Sequence, residues 1–210
     1  MNLDELAIKY GTDKSSQGHC YTATYEKLFT PIREQPLVIL EIGTASGAGL
    51  KMLREYFPNS KVYGIDINPS VEFEDVFIGS QEDGSFLRDV IAKIGPPDVI
   101  IDDGSHIGTH QIETFNVLFK LMKSGGMYFI EDTHTFYDAG YSGDKNYGGY
   151  SQVFDYFSKM PAHIDVMGKG LTGNQERAIN WHDPNPPVPE YSRYMSAMHV
   201  YPSLWMFERK

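Results

Sequence analysis

Two apolar runs in this 210-residue chain each end abruptly in carboxylates and a histidine. The first is Val99-Ile100-Ile101-Asp102-Asp103-Gly104-Ser105-His106, and the second is Met127-Tyr128-Phe129-Ile130-Glu131-Asp132-Thr133-His134. Each run reads as a buried strand, and in open α/β sheets ligands bind outside the carboxyl ends of the strands. If both strands share one parallel sheet, Asp103, Glu131 and Asp132 converge on one small volume. Three carboxylates do not stay charged together without a cation among them, and a hard divalent ion with oxygen ligands meets that need. Asp102 points to the opposite face from Asp103 if the strand continues. That suits Asp102 to orienting a loop rather than holding metal.

His106 follows Asp103 across a Gly104-Ser105 turn, which puts it at the start of the next helix. The positive helix end disfavours imidazolium, whereas a neighbouring carboxylate favours it. A reference pKa of about 6.5 leaves the ring usable as a general base in either case. His106 and His110 also have the four-residue spacing of a zinc-binding pair. A zinc protease needs a glutamate directly after the first histidine, and Ile107 stands there instead. His134 is placed to be a partner of Asp132 or a substrate contact. His19, His163, His182 and His199 read as surface or hydrogen-bonded core residues.

A second constellation lies upstream. Glu41-Ile42-Gly43-Thr44-Ala45-Ser46-Gly47 has the form E-x-G-x-x-x-G. Its glycines let backbone approach a ligand closely, and the helix behind it offers free N–H groups and a positive dipole end. Asp66, at the end of the following strand, has the position of an acid that binds a ribose diol. The spacing differs from the dinucleotide fingerprint G-x-G-x-x-G.

These groups need a scaffold of alternating strands and helices. Helices are expected over Leu3–Lys9, Thr24–Arg33, Leu50–Phe57, Phe86–Ile94 and Ile107–Met122, from apolar spacing, Pro58 and the Gly95-Pro96-Pro97 stop. Continuous apolar runs place buried strands at Leu37–Ile42, Asp98–Ile101 and Met127–Ile130, and further strands are expected at Lys61–Asp66 and Val76–Ile78. This alternation predicts a doubly wound α/β sheet. Downstream, a helix over Ser151–Lys159, a strand over His163–Met167 and a last strand over Ser196–Glu208 are expected. Pro202 makes that last strand an edge strand, a bulged one or an interrupted one. The Gly- and Tyr-rich stretch from Tyr137 to Tyr150 reads as a functional loop, and the four prolines between Pro184 and Pro189 exclude regular structure there.

Composition bounds the function. The net charge of −10 argues against nucleic acid as a partner, though a metal can invert the sign of a site locally. Cys20 is the only cysteine, so no intrachain disulfide is expected. The acidic N-terminus has no apolar signal segment, and no stretch reaches the roughly 18 apolar residues of a membrane span. A cytoplasmic protein without a membrane partner is expected.

The order acidic glycine turn, ribose acid, polar loop Gly79-Ser80-Gln81-Glu82-Asp83 resembles the class I S-adenosylmethionine-dependent methyltransferases. With Gly11-Thr12-Asp13-Lys14, Tyr21-Thr22, Asp103-Gly104-Ser105-His106 and Glu131-Asp132, the chain resembles the metal-dependent sugar O-methyltransferases of macrolide and rhamnosyl natural-product biosynthesis. The cephalosporin hydroxylase-like proteins share that architecture. The resemblance implies a Rossmann-like, mostly parallel sheet, one domain over residues 1–210 and an N-terminal helical or lid segment over about residues 1–35. It implies S-adenosylmethionine as donor, held by Thr12, Lys14, Glu41, Gly43, Gly47, Asp66, Ser80, Gln81, Asp83 and Asp102. It also implies Mg²⁺ held by Asp103, Glu131 and Asp132, with His106 as base. The acceptor would be a sugar hydroxyl of a small molecule; a catechol-type acceptor or a non-catalytic donor-binding protein are the alternatives. The oligomeric state is open.

Overall fold

The computed structural model describes residues 1–70, 73–141, 152–164 and 190–210. A seven-stranded sheet runs through it: β1 (Val38–Ile42), β2 (Lys61–Asp66), β3 (Val76–Ile78), β4 (Val99–Asp102), β5 (Met127–Glu131), β6 (Met195–Tyr201) and β7 (Leu204–Arg209). Their order across the sheet is β3-β2-β1-β4-β5-β7-β6. The first five strands pair in parallel, and β7 inserts antiparallel between β5 and β6. The chain leaves β1 toward β2 and returns on the other side at β4, so a crevice opens at the carboxyl ends of β1 and β4. The helices that flank the sheet include α1 (Leu3–Tyr10), α2 (Thr22–Phe29), α3 (Ala48–Tyr56), α4 (Gly84–Ile94), α5 (Gly108–Leu118) and α6 (Gln152–Ser158).

Burial on both faces explains why the central parallel strands β1, β4 and β5 read as continuous apolar runs, whereas the edge strand β3 is half-buried and leaves Ile78 exposed. Side chains alternate between faces. Ile39, Val62, Val99, Ile101 and Phe129 pack with Leu6, Tyr25, Phe29 and Leu53 of α1–α3. Leu40, Ile65, Ile100, Tyr128 and Ile130 pack with Leu87, Ile91, Phe115 and Phe157 of α4–α6. The same alternation sorts the acids. Glu41 and Glu131 share parity with Ile39 and Phe129, on the α1–α3 face, whereas Asp102 shares that of Ile100, on the other.

Local chemistry sets the helix ends. Asn2 and Glu5 form a capping box at α1, and Gly11 closes that helix in the left-handed conformation (φ 73°). Asp83 accepts from the Ser85 and Phe86 N–H groups and starts α4 two residues earlier than apolar spacing alone suggests. The C-terminal strand is interrupted. A turn at Pro202-Ser203 splits it into the β6–β7 hairpin, with a bulge between Met195 and Ala197 on the edge strand. The strand expected from His163 begins instead in helix, where the His163 N–H donates to the Lys159 carbonyl at 3.2 Å; its remainder, residues 165–167, lies outside the described residues. So do the proline-rich stretch 184–189 and most of the Tyr- and Gly-rich loop, from residue 142 onward. No helix among the described residues is long and apolar enough to cross a membrane.

Phe115 centres the α4–α6 side. It is fully buried, with the rings of Phe119, Tyr128, Phe157, Tyr191 and Phe207 at centroid distances of 4.7, 5.1, 5.3, 5.6 and 4.9 Å. Phe115→Ala is expected to lower stability by about 3–5 kcal/mol, read as a shifted midpoint in urea denaturation. A loss within about 0.5 kcal/mol, the range of surface substitutions, would mean this cluster is not the core.

Candidate active site

The carboxyl ends of β1, β4 and β5 deliver Glu41, Asp103 and Glu131 to one buried point, and the side chain that meets them there is Lys14. Its Nζ donates to Asp103 Oδ2 and, at 2.8 Å, to Glu131 Oε2, and lies 3.7 Å from Glu41 Oε1. Lys14 is only 2% exposed. The Tyr25 hydroxyl donates to the other oxygen of Glu131 at 2.6 Å. Burial raises the Glu131 and Asp103 carboxyls above their usual range, and Lys14 opposes that rise. Glu41, farther from the ammonium, is pushed up to about 7 by burial, and its Oε2 has no partner. The cation required among converging carboxylates is therefore supplied in part by the protein itself.

The segment carrying Lys14 is tightly stitched. Asp4 of α1 accepts from the Ser16 N–H, the Ser16 hydroxyl and the Thr22 hydroxyl, each at 2.7 Å. The Thr22 N–H donates to the Lys14 carbonyl at 3.1 Å, and the Thr12 N–H to the Ala7 carbonyl at 3.0 Å. Thr12 is buried beside Lys14, and its Oγ1 accepts weakly from the Lys14 N–H at 3.4 Å.

Beyond Lys14 stands a second group: Asp103, His106 and Asp132 each bring a ligand atom within 4.8 Å of the others. His106 Nε2 lies 3.5 Å from Asp132 Oδ2 and 3.9 Å from Asp103 Oδ1, while its buried Nδ1 has no partner. His106 and Asp132 both adopt positive φ (56° and 54°), a strained state for such residues that recurs at functional sites. His106 sits in the loop two residues before α5 rather than in its first turn. Glu131 stands outside this group. Asp132 is held by Tyr21, whose hydroxyl donates to Oδ1 at 2.6 Å and accepts from the Asp132 N–H at 3.2 Å. His19 and His134 flank Asp132 at 3.6 and 4.0 Å, with their rings stacked at 6.3 Å.

The upstream constellation forms the wall of an adjoining cleft of about 500 Å³, lined by Gly43, Asp66, Ser80 and Gln81 among others. Gly43 has φ 85°, and a Cβ there would lie 2.0 Å from the Asp103 carbonyl oxygen, so only glycine lets the turn press against the end of β4. Asp66 accepts from the Ala45 and Asn68 N–H groups, both at 2.8 Å, which fixes its carboxylate at the cleft. Gly47 takes φ 72° as the N-cap of α3, outside the cleft lining. Asp83 is an exposed helix cap and does not line it either.

Asp102 is fully buried on the α4–α6 face, where Gln81 Nε2 and the Tyr128 hydroxyl donate to it, both at 3.0 Å. Burial outweighs those bonds and pushes it up to about 6. Gln81 Oε1 accepts from the Ser105 N–H at 2.7 Å, so Asp102 steadies the cleft wall through Gln81. His110 bridges Glu82, at 2.8 Å, and the Ser105 hydroxyl, at 3.0 Å.

Sequence reasoning missed the charge partner role of Lys14, the clamps by Tyr21 and Tyr25, and the approach of His19 to Asp132. Strand parity signals that Glu131 and Glu41 need partners from the α1–α3 side; nothing local identifies which residues supply them. His163 and His199 are held by Tyr191 and Glu208 away from the site, and His182 lies outside the described residues.

A second opening of about 390 Å³, over Thr12, Lys14, Glu41, His106 and Asp132, shares Gly43, Ala45, Asp103 and Gly104 with the cleft. The two spaces therefore meet at the carboxyl ends of β1 and β4. No family model matches the chain. Over 99% of its length it is 40% identical to the 8-demethyl-8-(2-methoxy-alpha-L-rhamnosyl)-tetracenomycin-C 3'-O-methyltransferase of Streptomyces olivaceus, covering 54% of that protein. It is 30% identical over 99% of its length to the mycinamicin VI 2''-O-methyltransferase of Micromonospora griseorubida, covering 52%. The MycE methyltransferase of the mycinamycin biosynthetic pathway, solved in complex with Mg, SAH and mycinamycin VI, superposes on all of this chain with a TM-score of 0.80 at 28% identity, over 54% of that structure. The chain spans about half the length of the curated relatives it matches. It is a homologue of the sugar O-methyltransferases of macrolide and tetracenomycin pathways, built on the Rossmann-like fold of class I methyltransferases.

Proposed function

We propose that this chain carries the catalytic centre of an O-methyltransferase that moves a methyl group from S-adenosylmethionine to a hydroxyl of a sugar or glycosylated small molecule. The observation that carries this reading is the junction of the two clefts at Gly43, Ala45, Asp103 and Gly104. A donor in the larger cleft would present its methyl group to the space where His106, Asp103 and Asp132 converge. The sugar methyltransferase relatives and the Mg and SAH in the MycE structure support the same reading.

On the donor side, Asp66 would accept from the ribose hydroxyls, and Ser80 and Gln81 would edge the adenine. Gly43 admits the amino-acid end close to backbone. On the acceptor side, Asp103 and Asp132 offer hard oxygen donors around His106 Nε2, a set whose oxygens fit Mg²⁺. Those two residues would hold the ion, with Glu131 behind them, held by Lys14 and Tyr25. When bound, such an ion lowers the pKa of a hydroxyl and neutralises developing negative charge. His106, the imidazole that reaches both Asp103 and Asp132, would take the hydroxyl proton as the acceptor oxygen forms its bond to the methyl carbon. The carbon–sulfur bond breaks in the same displacement, and S-adenosylhomocysteine departs. Positioning of the two reactants supplies much of the rate gain. The Tyr21 hydroxyl fixes Asp132 for this role.

The place of His106 within the three-residue cluster also favours a second role, as an ion ligand. One variant separates the two. His106→Ala is expected to lower turnover by about 10²–10⁴-fold, while calorimetry shows S-adenosylhomocysteine and Mg²⁺ still binding. Near-normal turnover would refute the base, and loss of Mg²⁺ binding would make His106 a ligand.

Chelation tests the ion separately. Dialysis against EDTA should abolish turnover, and Mg²⁺ should restore it. Undiminished activity after exhaustive chelation would remove the ion from the mechanism.

A further inference from the structure

Lys14 divides the acidic cluster. Its ammonium takes Asp103 Oδ2 and Glu131 Oε2, while Asp103 Oδ1 faces His106 and the Asp132 side. Asp103 is thus shared between a fixed internal cation and the space proposed for the ion. Lys14 is not a flexible surface side chain that happens to reach inward. It is 2% exposed, and hydrogen bonds to Ala7, Thr22 and Asp4 hold its segment on both sides. Glu41, with Oε1 3.7 Å from the ammonium, adds a third buried carboxyl to the cluster, and its Oε2 has no hydrogen-bond partner.

We propose that Lys14 is a positioning residue that sets the affinity of this centre for a divalent cation. It holds Asp103 and Glu131 in place while its positive charge weakens the ion's attraction to them. The inference rests on the ion-binding reading above and adds an opposing role for an internal cation. Two effects compete on its removal. Losing the ammonium removes a like charge from beside the ion, which strengthens binding. Losing its hydrogen bonds loosens Asp103 and Glu131, which weakens binding. Charge dominates in a buried site of low effective dielectric, so the net result is tighter binding.

The test is calorimetric titration of Mg²⁺ into chelator-treated wild type, Lys14→Met and the double variant Lys14→Met/Glu131→Gln, with thermal unfolding in EDTA and in Mg²⁺. Lys14→Met should bind Mg²⁺ roughly tenfold or more tightly than wild type, by the like-charge argument. It should also melt lower in EDTA and gain more from Mg²⁺ than wild type does. The double variant restores the charge balance, so it should recover stability in EDTA and return to within about threefold of wild-type affinity. Wild-type binding with unchanged or weaker binding by Lys14→Met would overturn the proposal and leave the ion reading intact. Binding by Lys14→Met alone would support the proposal and overturn the ion reading for the wild-type centre. Binding by neither would overturn both. If Lys14→Met does not fold even in Mg²⁺, the double variant decides: recovery of folding with wild-type affinity supports the charge account, and failure to recover overturns it.

Discussion

The contact between Lys14 and the carboxylates at the ends of β1, β4 and β5 is the constraint on which the rest of the site depends. Side-chain alternation forces Glu41 and Glu131 onto the α1–α3 face, where water is excluded. A buried carboxylate left unpaired is costly, and breaking a buried ion pair by removing one partner costs about 3–5 kcal/mol. The N-terminal segment therefore does more than cover the sheet. It brings the ammonium that lets three acids stand together, and Tyr25 of α2 satisfies the remaining oxygen of Glu131. The fold and the chemistry are thereby linked, because the residues that close the α1–α3 side also fix the geometry of Asp103.

From Asp103 the constraint passes to both clefts. Its carbonyl is pressed against Gly43, tying the β1–α3 turn to the end of β4. Its free carboxylate oxygen faces His106, whose strained backbone turns the ring toward Asp132. On the opposite face, Asp102 anchors Gln81, and Gln81 holds Ser105. Two adjacent aspartates thus serve two faces of one strand. Asp102 steadies the wall of the larger cleft, while Asp103 stands where that cleft meets the acidic opening.

Much of this was legible in the sequence, and the parts that were not share a physical reason. Strands β2 and β3 begin and end where their residues suggest, because apolar runs bounded by turns have little freedom. The separate duties of Asp102 and Asp103 follow from alternation within a single strand. The position of Glu131 at the end of β5 was equally plain. Its partner was not, because Lys14 lies 117 residues away and nothing in Gly11-Thr12-Asp13-Lys14 advertises a buried ammonium. Tyr25 reads from its spacing as a core aromatic, which it is; its hydroxyl contact depends on how α2 crosses β5. Asp83 shows the converse. The family resemblance implies a donor contact for it, whereas its carboxylate caps α4. Pro202 signalled an interruption without revealing that the chain reverses there to form a hairpin.

The central claim is that a lysine and a divalent ion share this acidic cluster, with the ion beside Asp103 and Asp132 and next to the donor. Anomalous diffraction from a crystal grown with Mn²⁺ and S-adenosylhomocysteine tests it most directly. One manganese peak is expected within bonding distance of Asp103 and Asp132, with S-adenosylhomocysteine in the adjoining cleft and Lys14 still on Glu131. No peak at that point, or a peak at the place of the Lys14 ammonium with the lysine displaced, would contradict that claim.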